Sequence, residues 1–306
     1  MTEIPVSVII CTYNRGKYLA RCLESIKKQT YSNYEIIVVN GPSTDNTDTI
    51  LQRYDDIKII SQKTLNGLSY ARNLGIVSSN GDIIAFIDDD AVADEKWLQN
   101  LVLGYSDDSV GGVGGPVYEI TGHWYQFKNG YISRSGIPVF INDKDLQYND
   151  PKGRYLNYIM GTNSSFKKSI LVKIGFFDEK YRYYLDETDV CVRVIQAGYK
   201  IKHSDNPIVF HEMVEGHNRN DHYIINYSEI LKNNVYFILK NFNHDYKSYT
   251  IFPLFVIGHW IKIDYSHFFS GKVTLNEFIR ILIKIIFGGI NGYIQGLNYI
   301  IKIQRC

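Results

Sequence analysis

The sequence lacks the residue patterns that mark several common classes of protein. It has only four cysteines in 306 residues and no C-x-x-C pair, which argues against a disulfide framework or a cysteine zinc site. We therefore expect a cytoplasmic protein with reduced thiols. Lys and Arg number 33 against 32 Asp and Glu, so the chain has no overall basic charge of the kind that holds nucleic acid, and we expect no nucleic-acid partner.

Signals for targeting and for two nucleotide-binding folds are also missing. Residues 1–5 lead into an apolar run without the basic and long apolar segments of a secretory signal, so we expect no such signal. The first predicted strand is followed neither by G-x-G-x-x-G nor by G-x-x-x-x-G-K-[ST]. A dinucleotide-binding Rossmann site and a P-loop are therefore both disfavoured.

The first ninety residues alternate between two kinds of segment. Short runs rich in Val and Ile, typical of buried strands, lie at residues 6–11, 34–40, 57–60 and 82–87. Apolar residues at helical spacing lie between them, at residues 17–29, 45–54 and 68–77. This alternation predicts an α/β fold, a Rossmann-like and mostly parallel sheet with flanking helices. In such sheets ligands bind beyond the carboxyl ends of the strands.

Later in the chain the pattern changes to long helices rich in Ile, Phe and Tyr. We predict two domains, an α/β domain at 1–220 and a helical C-terminal extension at 221–306. A further strand pair is expected before the boundary, at residues 200–203 and 208–211, after a helix at 187–198 that is closed by a glycine.

The last part of the extension, residues 249–306, is apolar and basic. It has only two acidic residues, Asp264 and Glu277, against six Lys and Arg. Gly288, Gly292 and Gly296 form a stripe where another helix can approach closely. The charges disfavour a membrane-spanning helix. We predict a helix that lies in the membrane interface or in a dimer contact, with packing on the domain at 1–220 as the alternative.

Three consecutive carboxylates, Asp88, Asp89 and Asp90, directly follow the fourth apolar run. Like charges this close repel one another, so the cluster is unusual unless something neutralises it. A divalent cation does so, and oxygen ligands suit Mn²⁺ or Mg²⁺. Because side chains alternate along an extended strand, Asp88 and Asp90 point the same way and can converge on one metal. A solvated acidic turn or a set of helix caps is the alternative.

Two other polar segments stand at the ends of predicted elements. The first strand ends in Cys11-Thr-Tyr-Asn14, whose polar groups are able to hold a nucleobase and ribose, although a plain strand and turn is the alternative. Asp186-Glu-Thr-Asp189 opens a predicted helix. Acidic residues there complement the helix dipole, and they also supply the carboxylate that a general base requires.

Taken in order, these segments resemble the motifs of the family 2 glycosyltransferases, which have the GT-A nucleotide-diphosphosugar transferase fold. The resemblance covers about the first 210 residues. The matching segments lie at 7–15, 34–47, 67–75, 81–82, 86–90, 161–163, 175–179, 186–193 and 198–199.

The resemblance implies a role for each matching position. It implies nucleotide binding by Thr12, Tyr13, Asn14, Arg15, Asn40, Arg72, Asn73, Asp88 and Asp89. It implies Mn²⁺ or Mg²⁺ on Asp90 of the D-x-D pair, with His211 as a further ligand. Glu187 aligns with the usual catalytic aspartate and is our first choice as general base, with Asp186 second. Gly161, Asn163 and Asp189 are expected to face the acceptor or the transferred sugar.

Two positions depart from the family pattern. Where the family often reads D-D-G-S-T-D, this chain begins the motif with Asn40. An amide donates as well as accepts hydrogen bonds, so UDP is our first expectation for the donor but the base is left open. The usual proline of the first motif is Cys11, which we expect to be a small buried hydrophobic residue and not a nucleophile.

The function implied is that of a metal-dependent, inverting glycosyltransferase of the hexosyltransferase type. Its donor would be a nucleotide-diphosphate sugar and its acceptor a hydroxyl of a glycan, lipid-linked or protein-linked molecule. We expect a role in polysaccharide or glycoconjugate assembly, peripheral to the inner face of the cell membrane. The alternatives are a sugar nucleotidyltransferase, whose usual glycine-rich activating loop is absent near the start, and a non-catalytic carbohydrate-binding protein on the same fold.

Overall fold

The computed structural model describes residues 3–141, 149–212, 226–242 and 247–303, and the chain divides into two compact units. The first unit comprises Met1–Tyr131, Phe140–Arg182 and Asp186–Val214, and the second comprises Ile132–Val139, Tyr183–Leu185 and Glu215–Cys306. The domain boundary predicted between residues 220 and 221 lies outside the described residues, so it stays a prediction.

The first unit begins with the alternation of strand and helix that the sequence predicts. Its strands are β1 (Val6–Thr12), β2 (Tyr34–Asn40), β3 (Lys58–Ser61) and β4 (Ile83–Ile87), and the helices between them are α1 (Gly16–Lys27), α2 (Thr47–Leu51) and α3 (Leu68–Ser78). β1 pairs in parallel with β2 and β4, and β2 pairs in parallel with β3. Every residue of β4 is buried, as expected for a strand inside a sheet that is covered on both faces.

Shorter elements follow in the middle of the chain. They are β5 (Ala91–Ala93), α4 (Trp97–Leu103), β6 (Val110–Gly114), β7 (Val117–Glu119), β8 (Tyr125–Phe127), β9 (Asn129–Ser133), β10 (Pro138–Ile141), β11 (Tyr155–Tyr158), β12 (Asn163–Lys167), α5 (Lys168–Lys173), α6 (Asp186–Gln196), β13 (Lys200–His203) and β14 (Val209–His211). The main sheet has the order β13-β6-β12-β4-β1-β2-β3, and β10, β9 and β11 form a small sheet.

Two pairings bring distant segments to the end of β4. β12 runs antiparallel to β4 with Asn163 opposite Ile87, so the turn that precedes β12 lies beside Asp88. A separate four-stranded sheet has the order β5-β14-β7-β8, and in it His211 of β14 lies opposite Ala91 of β5. Because Ala91 directly follows Asp90, this register carries the histidine to the aspartate cluster.

The second unit is mainly helical. It contains α7 (Tyr227–Asn241), a short π-helical segment (Lys247–Ile251), α8 (Phe252–Phe269) and α9 (Leu275–Ile303). A Cβ added to Gly288 or Gly292 of α9 would collide with the backbone of Ser228 or Lys232 of α7. The close helix approach predicted along the glycine stripe is therefore confirmed, and α7 is the helix that makes it. Among the described residues, no helix combines the length and the apolar character needed to cross a membrane.

The contact between α7 and α9 predicts that alanine substitution changes the free energy of unfolding in opposite directions at two glycines. Gly292→Ala should lower the free energy of unfolding by about 1–3 kcal/mol, because the added methyl group overpacks the contact with Lys232 of α7. Gly258→Ala on α8 is the matched control, since a Cβ there has no neighbour within 4 Å. That change should stabilise the helix by up to about 1 kcal/mol. Urea unfolding of both variants measures the difference, and equal effects would contradict the packing.

Candidate active site

A buried arginine joins the two acidic motifs of the chain. The Nη1 atom of Arg72, on α3, donates to Oδ2 of Asp186 at 2.5 Å, and its Nη2 atom lies 3.9 Å from Oδ1 of Asp88. Asp88 follows β4, whereas Asp186 opens α6. The fold therefore brings the aspartate cluster and the Asp186–Asp189 segment to one place, although they are far apart in sequence.

The guanidinium of Arg72 is fixed from several sides. Its Cζ lies 5.5 Å from the ring centroid of Phe86 and 5.3 Å from that of Phe177. A Cβ on Gly161 would come within 2.7 Å of its Nη2 atom, so only glycine leaves room for it. Burial opposes the charge, but the nearby carboxylates, chiefly Asp186, outweigh it and raise the pKa of Arg72. The arginine thus stays charged between the two acidic groups.

Asp88, Asp90 and His211 form a candidate metal centre. Each offers one ligand atom, and these three atoms lie within 4.8 Å of one another. His211 Nε2 is 3.0 Å from Oδ1 of Asp90 and 4.0 Å from Oδ2 of Asp88. Two carboxylate oxygens and one imidazole nitrogen are a donor set that suits Mn²⁺ and also accommodates Mg²⁺. The fold brings together Asp90 and His211, the two ligands expected from the resemblance, and adds Asp88.

Gln126, at the centre of β8, fixes the orientation of His211. Its Oε1 lies 2.7 Å from Nδ1 of the imidazole, and its Nε2 donates to the main-chain oxygen of His211 at 2.7 Å. With Nδ1 donating to Gln126, Nε2 faces the aspartates, and loss of its proton would give the tautomer that a metal ligand requires. Sequence reasoning missed Gln126 because it lies on a three-residue strand outside every matching motif.

Arg15 lies on the carboxylates of the aspartate cluster. Its Nη1 is 2.5 Å from Oδ2 of Asp90 and 3.4 Å from Oδ1 of Asp89. Burial opposes the ionisation of Asp90, but His211 and Arg15 outweigh it and lower its pKa to about 2. Burial raises the pKa of Asp89 to about 7, and Arg15 offsets this only in part. Of these two buried aspartates, Asp90 is the one held ionised and ready to bind a cation.

Asp186 and Glu187 form a carboxyl pair at the start of α6. Burial raises the pKa of Glu187 well above its usual value, and the charge of Asp186 together with a hydrogen bond between the two side chains raises it further. Asp186 is buried and accepts from Arg72, whereas Glu187 is only partly buried. The positive charge of Arg72 therefore lies directly beside Asp186, and Glu187 is the member of the pair whose pKa is raised.

The turn before α6 has an unusual backbone. Tyr184 and Leu185 have φ angles of 70° and 66°, a left-handed conformation that costs energy in residues other than glycine. Asn233 of α7 stabilises this turn, because its Nδ2 donates to the main-chain oxygens of Tyr183 and Tyr184 at 2.5 and 3.2 Å. Asp186, the first residue of α6, follows Leu185 directly in the sequence.

The 161–163 segment contributes differently from what we expected. Thr162, which sequence reasoning did not single out, donates its hydroxyl to Oδ2 of Asp88 at 2.6 Å. Asn163 is fully buried; it donates to the main-chain oxygens of Pro116 and Pro207 and accepts from the indole of Trp97. Asn163 therefore links neighbouring segments of the first unit instead of facing the acceptor or sugar. The sequence alone does not distinguish an asparagine that binds a ligand from one that hydrogen-bonds to the main chain.

Two other expected site residues also make structural contacts. Asp189 is fully buried and accepts from Nε of Arg193 at 2.7 Å, one turn along α6, and not at a position open to a sugar. Asn73 donates to the main-chain oxygen of Phe177 and to the carboxylate of Glu179, so it holds that loop instead of lying free for a base or ribose.

The ends of β1 and β2 adjoin each other beyond the sheet. Thr12 lies opposite Asn40 in the strand register, and the ring of Tyr13 packs against Gly41. Asn40 donates to Oδ1 of Asp48 at 2.6 Å, and Asn14 accepts from the main-chain nitrogen of Thr44 at 2.7 Å. Four of the residues expected to bind the nucleotide, Thr12, Tyr13, Asn14 and Asn40, therefore lie at the carboxyl ends of two parallel strands. Nearby, burial raises the pKa of Cys11 to about 12, in keeping with a thiol that stays protonated.

Comparison of the sequence with protein families and with curated proteins gives consistent matches. The family model for Glycosyl transferase family 2 matches residues 7–175. Glycosyltransferase GlyG of Streptococcus pneumoniae is 30% identical over 203 residues, 60% of this chain and 66% of that protein. Glucosyl-dolichyl phosphate glucuronosyltransferase of Haloferax volcanii is 27% identical over 224 residues, 69% of this chain and 70% of its own length. The matches to these two relatives thus span about two thirds of their length.

Two solved structures resemble this chain in fold over nearly all of its length. Mannosyltransferase PcManGT from Pyrobaculum calidifontis, in complex with GDP-Man and Mn²⁺, matches with a TM-score of 0.59 at 15% identity over 97% of this chain and 88% of that one. S. aureus TarS 1–349 in complex with UDP-GlcNAc matches with a TM-score of 0.65 at 18% identity over 95% and 82%. At these identities the likeness concerns the fold, and the GT-A fold predicted from the sequence is confirmed.

Proposed function

This chain belongs to glycosyl transferase family 2, and we propose that it is a metal-dependent, inverting glycosyltransferase. It moves a sugar from a nucleotide-diphosphate donor to a hydroxyl group of a glycan, lipid-linked or protein-linked acceptor. The single observation that carries this proposal is the bridge made by Arg72. It connects Asp88 of the candidate metal centre to Asp186 of the carboxyl pair, so a group for the leaving diphosphate and a group for the attacking hydroxyl share one site.

Asp88, Asp90 and His211 would hold Mn²⁺ or Mg²⁺. When bound, such an ion stabilises the negative charge that develops on a leaving diphosphate. The Mn²⁺ in the complex of the mannosyltransferase from Pyrobaculum calidifontis supports this choice of cation. In this chain, Gln126 keeps Nε2 of His211 directed at the site, and the low pKa of Asp90 keeps that ligand ionised at neutral pH.

Glu187 is the general base of the proposal. In its ionised form it takes the proton of the acceptor hydroxyl as that oxygen attacks the anomeric carbon. The attack comes from the face opposite the diphosphate, so the bond to the diphosphate breaks on the other side and the configuration inverts. Asp186 and Arg72 position the base: the arginine holds Asp186, and the side chain of Asp186 is hydrogen-bonded to Glu187.

The nucleotide is proposed to lie across the ends of β1 and β2, against Thr12, Tyr13, Asn14 and Asn40. The similar solved structures carry GDP-Man or UDP-GlcNAc, so both bases fit the fold. UDP is our first choice. Next to this region, Arg15 would offset negative charge on the nucleotide and Asp89 would contact it, and Gly161 with Thr162 would border the transferred sugar. We place the reaction in polysaccharide or glycoconjugate assembly in the cytoplasm, peripheral to the cell membrane.

Incubation with a panel of UDP- and GDP-sugars plus Mn²⁺ tests the proposal. Release of a nucleoside diphosphate that depends on the acceptor is the expected result. A nucleotidyltransferase would instead release pyrophosphate from a nucleoside triphosphate and a sugar phosphate. A carbohydrate-binding protein without turnover would release neither product from any member of the panel.

The carboxyl pair predicts a characteristic pH dependence. A base with a raised pKa loses its proton only at higher pH. On the acid side of the pH profile, kcat/KM should therefore rise with pH, with an apparent pKa above the ordinary glutamate value of about 4.3. Arg72 lowers the pKa of Glu187, so Arg72→Gln should move this apparent pKa to higher pH. Measurement of kcat/KM against pH for both proteins checks the shift. An apparent pKa at the ordinary value, or one that moves to lower pH in the variant, would contradict the assignment.

A further inference from the structure

One face of α9 is apolar and exposed along most of the helix. The side chains recur at spacings of three or four residues, which places them on one side, and each is between 47% and 57% exposed: Leu275, Ile279, Ile283, Ile286, Ile290 and Ile294. The stripe is about 29 Å long at 1.5 Å per residue. It is distinct from the buried face with Gly288 and Gly292, which contacts α7.

The neighbouring helix continues this surface. Leu254, Phe255 and Phe269 of α8 are each more than half exposed. Tyr265, also half exposed, lies 4.4 Å from Phe269 and 6.4 Å from Phe278 of α9 between ring centroids. The exposed sides of the two helices therefore adjoin, and we call their combined apolar surface the α8–α9 face. Large contiguous apolar patches on a protein surface mark sites of interaction with other proteins, ligands or membranes.

A basic edge borders the α8–α9 face. Arg280 and Lys284, one turn apart, are exposed beside the isoleucine stripe on α9. The described residues 247–303 include two acidic side chains. Asp264 is fully buried, whereas Glu277 accepts from Thr274 at the start of α9 and lies one turn before Arg280, whose charge it offsets in part. Lys284 lies a further turn along the helix, so the edge keeps an excess of positive charge at the surface.

We propose that the α8–α9 face docks into the interface of a lipid bilayer with anionic headgroups, with both helices parallel to the membrane plane. The apolar side chains enter the acyl boundary while Arg280 and Lys284 reach the headgroup phosphates. A second copy of the chain is a poorer occupant. In a two-fold contact the same patch meets itself, so both surfaces carry the same excess of positive charge. Anionic lipid supplies the missing negative charge. This proposal does not depend on the sugar-transfer reaction.

Vesicle flotation of the full chain tests the proposal. The protein should float with vesicles of phosphatidylcholine mixed with phosphatidylglycerol, and much less with phosphatidylcholine alone or at high salt. Ile283→Glu and Ile290→Glu should each lower the partition coefficient about tenfold or more, since each removes a buried isoleucine from the lipid contact. Arg280→Gln should lower it about fivefold, and only with the anionic vesicles.

Val172→Glu is the matched control, because Val172 on α5 of the first unit is 52% exposed, close to the 51% of Ile290. It should leave flotation unchanged, and circular dichroism should show equal helix content in all four variants. No flotation of the wild type, equal flotation with both kinds of vesicle, or equal loss from the Val172 variant would overturn the proposal. A wild-type dimer in sedimentation that the two isoleucine variants dissociate, without vesicle binding, would assign the face to a second copy and also overturn it.

Discussion

Glu187→Gln is expected to lower kcat for sugar transfer by about 10²–10⁴-fold, the usual contribution of a positioned general base. Glutamine has the size of glutamate and keeps a hydrogen-bonding group beside Asp186, but it has no carboxylate to accept the proton of the attacking hydroxyl. The nucleotide site is built from other residues, so affinity for the nucleoside diphosphate should change little. Steady-state release of nucleoside diphosphate and calorimetry of nucleotide binding measure the two quantities separately.

Two comparison variants make the result specific. Glu95→Gln, at an exposed position before α4, should leave kcat unchanged. Asp186→Asn should also reduce transfer, because it removes the carboxylate that Arg72 holds beside Glu187. Normal turnover by Glu187→Gln combined with inactive Asp186→Asn would reject Glu187 and make Asp186, our second choice, the base.

Asp90→Ala is expected to remove the dependence of nucleotide binding on the metal. In the wild type, Mn²⁺ should tighten binding of the nucleoside diphosphate relative to the same titration with a chelator. The variant loses the carboxylate that lies 3.0 Å from His211 Nε2, and with it the ligand held ionised in the site. Its affinity should be the same with Mn²⁺ and with chelator. Calorimetry measures this without requiring turnover.

The orientation of His211 adds a graded test of the same centre. Gln126→Leu should weaken Mn²⁺ binding by about 10–100-fold, the usual cost of losing a group that orients a metal-bound histidine. Asp108→Ala is the control, since that aspartate is fully exposed and lies outside the centre.

The Asp90→Ala experiment has a result that would reject the proposed ligand set. That result is an affinity for the nucleoside diphosphate, measured with Mn²⁺, that equals the affinity of the wild type.

Much of the first unit follows from local patterns. Strands β1, β2, β4, β13 and β14 were predicted to within one residue at each end, because buried Val and Ile runs and intervening helical periodicity are properties of neighbouring residues. The middle of the chain was harder. There the strands are three to five residues long, and their order depends on pairings between distant segments, such as β12 antiparallel to β4.

In the candidate site, too, some features could be predicted from the sequence and others could not. The strand that carries the aspartates and the helix that carries Glu187 were predictable, since motif residues lie at the ends of elements. The partners within the site were not. Nucleotide binding by Arg72 stays a prediction, but its place between Asp88 and Asp186 could not be read from the sequence, because it depends on carboxylates that are far apart along the chain. Thr162 and Gln126 contribute through side-chain direction, which spacing along the chain does not reveal.

A crystal structure with Mn²⁺ and a nucleoside diphosphate, read through the anomalous signal of manganese, tests the central claim most directly. We predict a manganese peak bonded to Asp90 and His211, with the diphosphate on the same ion and Glu187 facing it across the site. A manganese ion bound away from Asp90 would contradict the proposed metal centre. A diphosphate that does not lie beside the aspartate cluster would contradict the proposed nucleotide site.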